Sequence, residues 1–271
     1  MSRIEKALEE AVRLREARYP DRAEEAFLQE GTGDVPTDPR VVTLTEPASP
    51  VTEEYRKLKS MIVKFTRKNA SCNTLMITST ESGEGKSLTS LNLAVILAQE
   101  YNRSVLLVDA DLRRPSLNGY FGIEPGKGLA DCLAGGIDPE SVMVQTKVPK
   151  LSFLTAGTAV RNPVELLSSA QMKKLLAEMK HHQRDRYIII DTPPLLPFAE
   201  THAMGAMVDG ILFVVREGKT STKGLREAFE MLQDSPVLGV ILNDASVDNL
   251  RGRYRYYQDY YGYQERTNTQ A

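Results

Sequence analysis

The 271-residue sequence has no tryptophan, only two cysteines and three histidines, and no long apolar run. The two cysteines, Cys72 and Cys132, are too few for a disulfide framework and lie in no metal-ligand spacing, which favours reduced thiols. No stretch approaches the roughly 20 apolar residues of a membrane-spanning helix, and the charged N-terminus lacks the apolar region of a signal peptide. The net charge of -2 gives no reason to expect nucleic acid as a partner.

The composition, 41% hydrophobic and 26% charged, is typical of a soluble globular protein. We predict four segments: a helical arm over residues 1–30, a Gly- and Pro-containing linker over 31–50, one domain over 51–249 and a tail over 250–271. In the arm, Ser2 and Glu5 form a capping box before a narrow apolar stripe. That arm is either solvated or a docking helix for a partner, and the sequence favours neither.

Short apolar runs alternate with helical patterns through the central domain. Because strands that are apolar on both faces belong to parallel sheets covered by helices, we predict a three-layer α/β/α domain with a mostly parallel sheet. The predicted strands are Thr74–Thr78, Ser104–Asp109, Leu151–Thr155, Tyr187–Asp191, Ile211–Arg216 and Val237–Asn243. The predicted helices are Thr52–Arg67, Lys86–Glu100, Pro163–His181, Phe198–Met207 and Thr222–Gln233.

A phosphate-binding loop joins the first strand to the next helix. Its Gly-Glu-Gly-Lys-Ser sequence lies in the strand–loop–helix context of a Walker A motif, although Thr80 stands where the first glycine is usual. Glycines let backbone N–H groups surround phosphates, lysine reaches the β- and γ-phosphates, and the serine hydroxyl can ligate Mg²⁺. The predicted nucleotide-binding residues are Gly83, Glu84, Gly85, Lys86, Ser87 and Leu88.

Three carboxylates follow buried strands at the same predicted sheet edge as this loop. Asp109 and Asp111 end one strand and Asp191 ends another, and ligands of open parallel sheets bind beyond the carboxyl ends of the strands. Magnesium favours one or two carboxylates together with phosphate oxygens. We therefore expect these residues around a magnesium nucleotide. Arg113 either contacts phosphate or pairs with a carboxylate, and Asn243 is either an adenine contact or a turn residue.

Six of the eleven tyrosines lie close together after the last predicted strand. They follow neither helical nor strand periodicity, so we predict an exposed segment whose hydroxyls are phosphate acceptors. An aromatic, arginine-bearing segment that binds RNA or a protein surface is the alternative. The predicted acceptors are Tyr254, Tyr256, Tyr257, Tyr260, Tyr261 and Tyr263.

These motifs together resemble the bacterial tyrosine kinases (BY-kinases) of exopolysaccharide and capsule systems. The resemblance rests on the Walker A loop, on Asp109-Ala-Asp111-Leu-Arg113 and on Asp191-Thr-Pro-Pro194. It implies ATP and Mg²⁺ as cofactors and a catalytic set of Lys86, Asp109 and Asp111, with Asp109 as the base. The implied metal ligands are Ser87, Asp109 and Asp191. The implied oligomerisation residues are Glu53, Arg56 and Lys59, where lysine replaces the family's final arginine.

The resemblance also implies a biological setting. It implies a homo-oligomer in which each copy autophosphorylates its neighbour's tyrosine tail and so regulates exopolysaccharide synthesis or export. The implied partners are a membrane-embedded polysaccharide co-polymerase as activator and a tyrosine phosphatase, with no nucleic acid. The protein would be cytoplasmic and recruited to the inner face of the bacterial cell membrane. The arm resembles the start of stand-alone tyrosine autokinases of exosortase gene clusters.

Two other functions share these motifs. A ParA/MinD-type ATPase switch has the same fold and Walker motifs without kinase activity, but its signature lysine would fall at position 81, where this chain has Glu81. It also gives no reason for a tyrosine tail. An inactive adaptor that binds nucleotide and presents its tail to another kinase is the third possibility.

Overall fold

The computed structural model describes residues 35–68, 72–100, 103–183 and 185–246. Within them lies a seven-stranded sheet with the order β3-β4-β2-β5-β1-β6-β7. Every neighbouring pair is parallel except β3 with β4, which is antiparallel. The strands are β1 Thr74–Ser79, β2 Ser104–Asp109, β3 Val144–Gln145, β4 Leu151–Leu154, β5 Arg186–Asp191, β6 Gly210–Arg216 and β7 Val237–Asn243.

Helices cover both faces of this sheet. They are α1 Val42–Thr45, α2 Pro50–Lys68, α3 Lys86–Ala98, α4 Leu117–Phe121, α5 Leu129–Gly135, α6 Pro139–Val142, α7 Pro163–Leu167, α8 Ala170–His182, α9 Ala199–Gly205 and α10 Thr222–Met231. Alternate strand residues point to opposite faces. In β1, Leu75 and Ile77 pack with α2 and α3, whereas Met76 packs on the other side with the helices from α5 to α10. This arrangement confirms the predicted three-layer fold.

The six predicted strands are all present, but three local features differ from prediction. The predicted helix Pro163–His181 is two helices, because the Ser169 side chain accepts a hydrogen bond from the Met172 amide and starts α8 anew. The two-residue β3 was not predicted, and neither were the short helices from α4 to α6. The third difference is α1, which lies within the predicted linker.

Helix α1 packs against the central domain. The Thr43 hydroxyl and amide both donate to the Asn92 side chain of α3, at 3.0 and 3.1 Å, and Val41 is fully buried. Residues 41–45 therefore belong to the packed structure. The predicted arm and tail lie outside the described residues, and the segment boundaries remain a prediction.

The parallel sheet places the carboxyl ends of β1, β2, β5, β6 and β7 at one edge. Asp109 is in register with Asp191, and Ile77 lies beside that same aspartate in the sheet. The loop that follows β1 leaves from this edge. Residues distant in the sequence therefore meet around one loop.

Candidate active site

The loop between β1 and α3 has the backbone shape of a phosphate cradle. Gly83 and Gly85 have φ of 78° and 93°, which is the left-handed region that favours glycine. Helix α3 begins at the very next residue, Lys86, so its positive N-terminal end lies under the loop. The arrangement suits an anion held by backbone N–H groups.

Lys86 brings two of the predicted carboxylates together. Its Nζ donates to Asp111 Oδ2 at 2.9 Å and lies 3.8 Å from Asp191 Oδ2. Burial alone would lower the pKa of this ammonium group, but Asp191 and Asp111 outweigh that effect and raise the pKa. Lys86 is thus a buried lysine whose charged form the two carboxylates favour, at the head of the loop.

Asp109 lies at the end of β2, fully buried and surrounded by backbone amides. Its Oδ1 accepts from the Asp111 amide at 3.1 Å, and its Oδ2 accepts from the Ser116 and Leu117 amides at 3.2 Å each. Burial raises the pKa of this carboxyl to about 7, with the nearby negative charge of Asp191 acting in the same direction. The group can therefore gain or lose a proton near neutrality.

Asp191 at the end of β5 carries a buried oxygen that lacks a hydrogen-bond partner. Its Oδ1 accepts from the Ser90 hydroxyl at 3.1 Å, whereas Oδ2 has no such donor among the described residues. Burial raises the pKa of this carboxyl, and Lys86 and the nearby Ser87 hydroxyl oppose that rise. A carboxylate oxygen that has no hydrogen-bond donor among the described residues, beside the helix that follows the phosphate loop, fits a hydrated divalent cation.

The donor set also fits Mg²⁺. Within the described part of the chain, no group of three or more His, Cys, Asp or Glu side chains is arranged to hold a metal ion. Magnesium usually takes only one or two carboxylates and completes its shell with phosphate and water. The Ser87 hydroxyl and Asp191 are ligands of that kind.

Arg113 pairs with Glu200, a carboxylate that belongs to none of the sequence motifs. Its Nε donates to Glu200 Oε1 at 2.5 Å, and its guanidinium carbon lies 4.5 Å from the centre of the Phe198 ring. Glu200, in α9, is fully buried. Of the two alternatives for Arg113, the structure shows the carboxylate pair. The pair links the segment after β2 to the helix after β5.

The outer side of the phosphate loop contacts the ends of β6 and β7. Arg216, Lys219 and Asn243 donate to loop carbonyls, and the Thr220 hydroxyl donates to the buried Glu84 carboxylate. The sequence motifs identified Asn243 but did not identify Arg216, Lys219 or Thr220. The available signal was their position at the end of β6 or within four residues after it, similar to the strand-end signal that identified the aspartates.

The predicted oligomerisation residues lie along α2. Arg56 pairs with Glu53 at 3.0 Å within α2, and Lys59 lies 3.4 Å from Glu100. These three residues share one helix, and their role in oligomerisation remains a prediction. The six tail tyrosines lie outside the described residues. Across those residues, no helix is both long and apolar enough to cross a membrane.

The sequence of this chain is similar to a known family of nucleotide-binding domains and to named tyrosine-protein kinases. The model of the CobQ/CobB/MinD/ParA nucleotide binding domain matches residues 75–255. The tyrosine-protein kinase YwqD of Bacillus subtilis is 37% identical over 219 residues, which cover 80% of this chain and 90% of that protein. Three longer relatives named as tyrosine kinases are 35–38% identical, but the match covers only 26–30% of their length.

Solved structures similar to this chain include tyrosine kinase domains, as the related sequences do. The kinase domain of the Escherichia coli tyrosine kinase ETK superposes with a TM-score of 0.69 at 27% identity and covers 83% of this chain and 92% of that one. The cell division ATPase MinD of Pyrococcus furiosus covers 63% of this chain and 71% of that one, with a TM-score of 0.54 at 24% identity, which shows a shared fold alone. The chain therefore belongs to the bacterial tyrosine-protein kinases, within the CobQ/CobB/MinD/ParA nucleotide-binding family.

Proposed function

We propose that this protein transfers the γ-phosphoryl group of ATP to tyrosine hydroxyls in the C-terminal segment of a second copy of itself. The observation that carries the proposal is the meeting of Lys86, Asp111 and Asp191 at the mouth of a glycine-lined phosphate loop. A cation flanked by carboxylates at a loop of this shape suits a phosphate chain and its metal ion. The family named above supports the choice of tyrosine as acceptor.

In the proposed reaction, the tyrosine oxygen attacks the γ-phosphorus and the bond to the β–γ bridging oxygen breaks, releasing ADP. Lys86 orients the β- and γ-phosphates, while Ser87 and Asp191 would hold Mg²⁺. Bound Mg²⁺ would neutralise charge on the phosphate oxygens. Asp109 accepts the proton of the tyrosine hydroxyl. Its pKa of about 7 leaves a substantial ionised fraction at neutral pH. Asp111 positions the Lys86 ammonium group.

The proposed partners follow from the same family. A second copy supplies the tyrosine tail, with contacts through the α2 residues Glu53, Arg56 and Lys59. We propose a membrane-embedded polysaccharide co-polymerase as activator, a tyrosine phosphatase as the opposing enzyme, and regulation of exopolysaccharide synthesis or export as the outcome. The protein would then act at the inner face of the cell membrane.

Two full-length variants test transfer between copies. Lys86→Met keeps the tail but loses the phosphate-binding cation. The second variant carries phenylalanine at all six acceptor positions and keeps the site. When the two are mixed with Mg·ATP, we expect phosphotyrosine on the Lys86→Met chains only, measured by mass spectrometry. Neither variant should be labelled when incubated alone.

Two results would contradict the proposal. Label on isolated Lys86→Met protein would mean that another kinase or a contaminant modifies the tail. ATP hydrolysis by the wild type without any phosphotyrosine would favour the ATPase switch, whose fold is shared. The matched control is Lys174→Met, since Lys174 is an exposed lysine on α8 that pairs with Glu178 on the same helix. This variant should be labelled like the wild type.

A further inference from the structure

Three successive carbonyls of the phosphate loop each accept a hydrogen bond from a different side chain. Ser82 O accepts from Lys219 Nζ at 2.7 Å, and Gly83 O accepts from an Arg216 guanidinium nitrogen at 3.2 Å. The next carbonyl, that of Glu84, accepts from Asn243 Nδ2 at 2.9 Å. The donors come from the end of β6, the loop after it and the end of β7.

These contacts fix which way the loop peptides face. The N–H and the C=O of one peptide unit point in opposite directions, because the unit is planar and trans. Carbonyls drawn toward β6 and β7 therefore turn the intervening N–H groups toward the concave side of the loop. Aligned N–H groups of this kind form an anion-binding concavity. Held in place beforehand, they need not reorganise when phosphate arrives.

The glycines make room for the same donors. A Cβ at Gly83 would lie 2.6 Å from Lys219 Nζ, and a Cβ at Gly85 would overlap the Asn243 amide group. Both positions have left-handed φ, which favours glycine, and at Gly85 the overlap with Asn243 is a second reason. The missing side chain at Gly85 therefore lets Asn243 reach the loop carbonyl, and the missing side chain at Gly83 leaves room for Lys219 Nζ.

The donors are themselves held in position. Arg216 also donates two hydrogen bonds to Asp244 Oδ2, at 2.7 and 2.9 Å. Its backbone amide donates to the Thr220 hydroxyl oxygen at 2.9 Å, and Thr220 in turn donates to the buried Glu84 carboxylate. Glu84 then accepts from the Glu81 amide at 2.9 Å. The loop and the two strand ends thus form one connected hydrogen-bond network.

We propose that Lys219, Arg216 and Asn243 are positioning residues for nucleotide binding, and that they act as a carbonyl clamp holding the phosphate loop in its anion-accepting shape. The clamp acts on the loop peptides and not on the base of the nucleotide. The inference depends on the proposed function in one respect, because it assumes that the ligand is a nucleotide. It assigns to Asn243 a loop contact in place of either an adenine contact or a simple turn.

The test measures ligand affinity in full-length protein by calorimetry, with Mg·ADP and with pyrophosphate, which has no base. Asn243→Asp removes the donor and places a carboxylate against the Glu84 carbonyl, so we expect affinity for both ligands to fall by about tenfold. Lys219→Met removes an exposed donor and should weaken both by about threefold. Lys223→Met is the matched control, since Lys223 is exposed on α10 and pairs with Glu227; its affinities should not change.

A second readout needs no ligand. Amide hydrogen exchange over residues 82–87 should quicken in both clamp variants without added nucleotide and stay unchanged in Lys223→Met. Loss of affinity for Mg·ADP but not pyrophosphate in Asn243→Asp would overturn the proposal in favour of a base contact. Unchanged affinity and exchange in Lys219→Met would also overturn it. A wild type that binds Mg·ADP but forms no phosphotyrosine would refute the proposed kinase function and leave these comparisons intact.

Discussion

Lys86 is the residue on which the proposed chemistry depends most directly. Its buried ammonium group is the cation that contacts Asp111 and approaches Asp191 at the loop. Lys86→Met should reduce tail phosphorylation at least about a hundredfold, in the range seen when one preorganised charge is removed from an active site. Phosphotyrosine formed per minute with saturating Mg·ATP measures the effect. A variant with near wild-type rate would exclude this lysine from phosphoryl transfer.

Cys132 and Cys72 should differ sharply in reactivity. Cys132 is almost fully buried, and burial, with Asp131 and Asp138 nearby, raises the pKa of its thiol to about 11. The thiol therefore stays protonated at pH 8, whereas thiolate is the reactive form. Cys72 is only half-buried. Maleimide at pH 8 should modify Cys72 alone in native protein, and both in denaturant. Mass spectrometry with Cys72→Ser as control would show any native labelling of Cys132.

At the residue scale, sequence reasoning found the groups that carry their own motif. Lys86, Asp111 and Asp191 meet as expected, because glycine, lysine and strand-end aspartate are local signals. Glu200 and Lys219 were not found. Their partners lie 87 and 137 residues away in the chain, and only the sheet order brings these pairs together. The roles in binding and catalysis assigned to Lys86, Asp111 and Asp191 remain predictions.

Helix α8 depends on its own start signal. The Ser169 side chain accepts from the Met172 amide at 3.1 Å and donates to Leu166 O at 2.7 Å, which joins α7 to α8 at a bend. Ser169→Ala should lower the free energy of unfolding by about 1 kcal/mol, the usual effect of losing an N-cap. Urea unfolding measures it. Ser169→Asp retains an N-cap acceptor and should lose much less; equal losses would show that the cap does not matter.

Among the elements, long periodic segments were predictable and short ones were not. The six predicted strands are present. Five of them are apolar runs that the sheet buries, whereas β7 lies at the sheet edge with Val240 and Leu242 exposed. β3 has two residues, too few to show alternation. The apolar period runs unbroken across α7 and α8, so the serines that separate them were read as helix interior. α1 is a single turn stabilised by its contact with Asn92, which no local pattern reveals.

For the whole molecule, the proposed oligomer depends on the outer face of α2. Arg56 donates to Pro47 O at 2.6 Å and to Glu53 at 3.0 Å, so its guanidinium is already oriented. Arg56→Ala should reduce the mass of the assembly, measured by light scattering. Lys57→Ala, on the next position of the same helix, is the control and should assemble like the wild type. Equal masses for both variants would place the contact elsewhere.

The strand order also has a consequence for how the protein is made. β1 carries the phosphate loop near the start of the domain, but its sheet neighbours are β5 and β6, and the last loop contact comes from Asn243 at the end of β7. Such distant pairings form late in folding. During synthesis, Lys86 would therefore be made long before the chain could bind a nucleotide. Nucleotide binding would begin only after β7 had been synthesised.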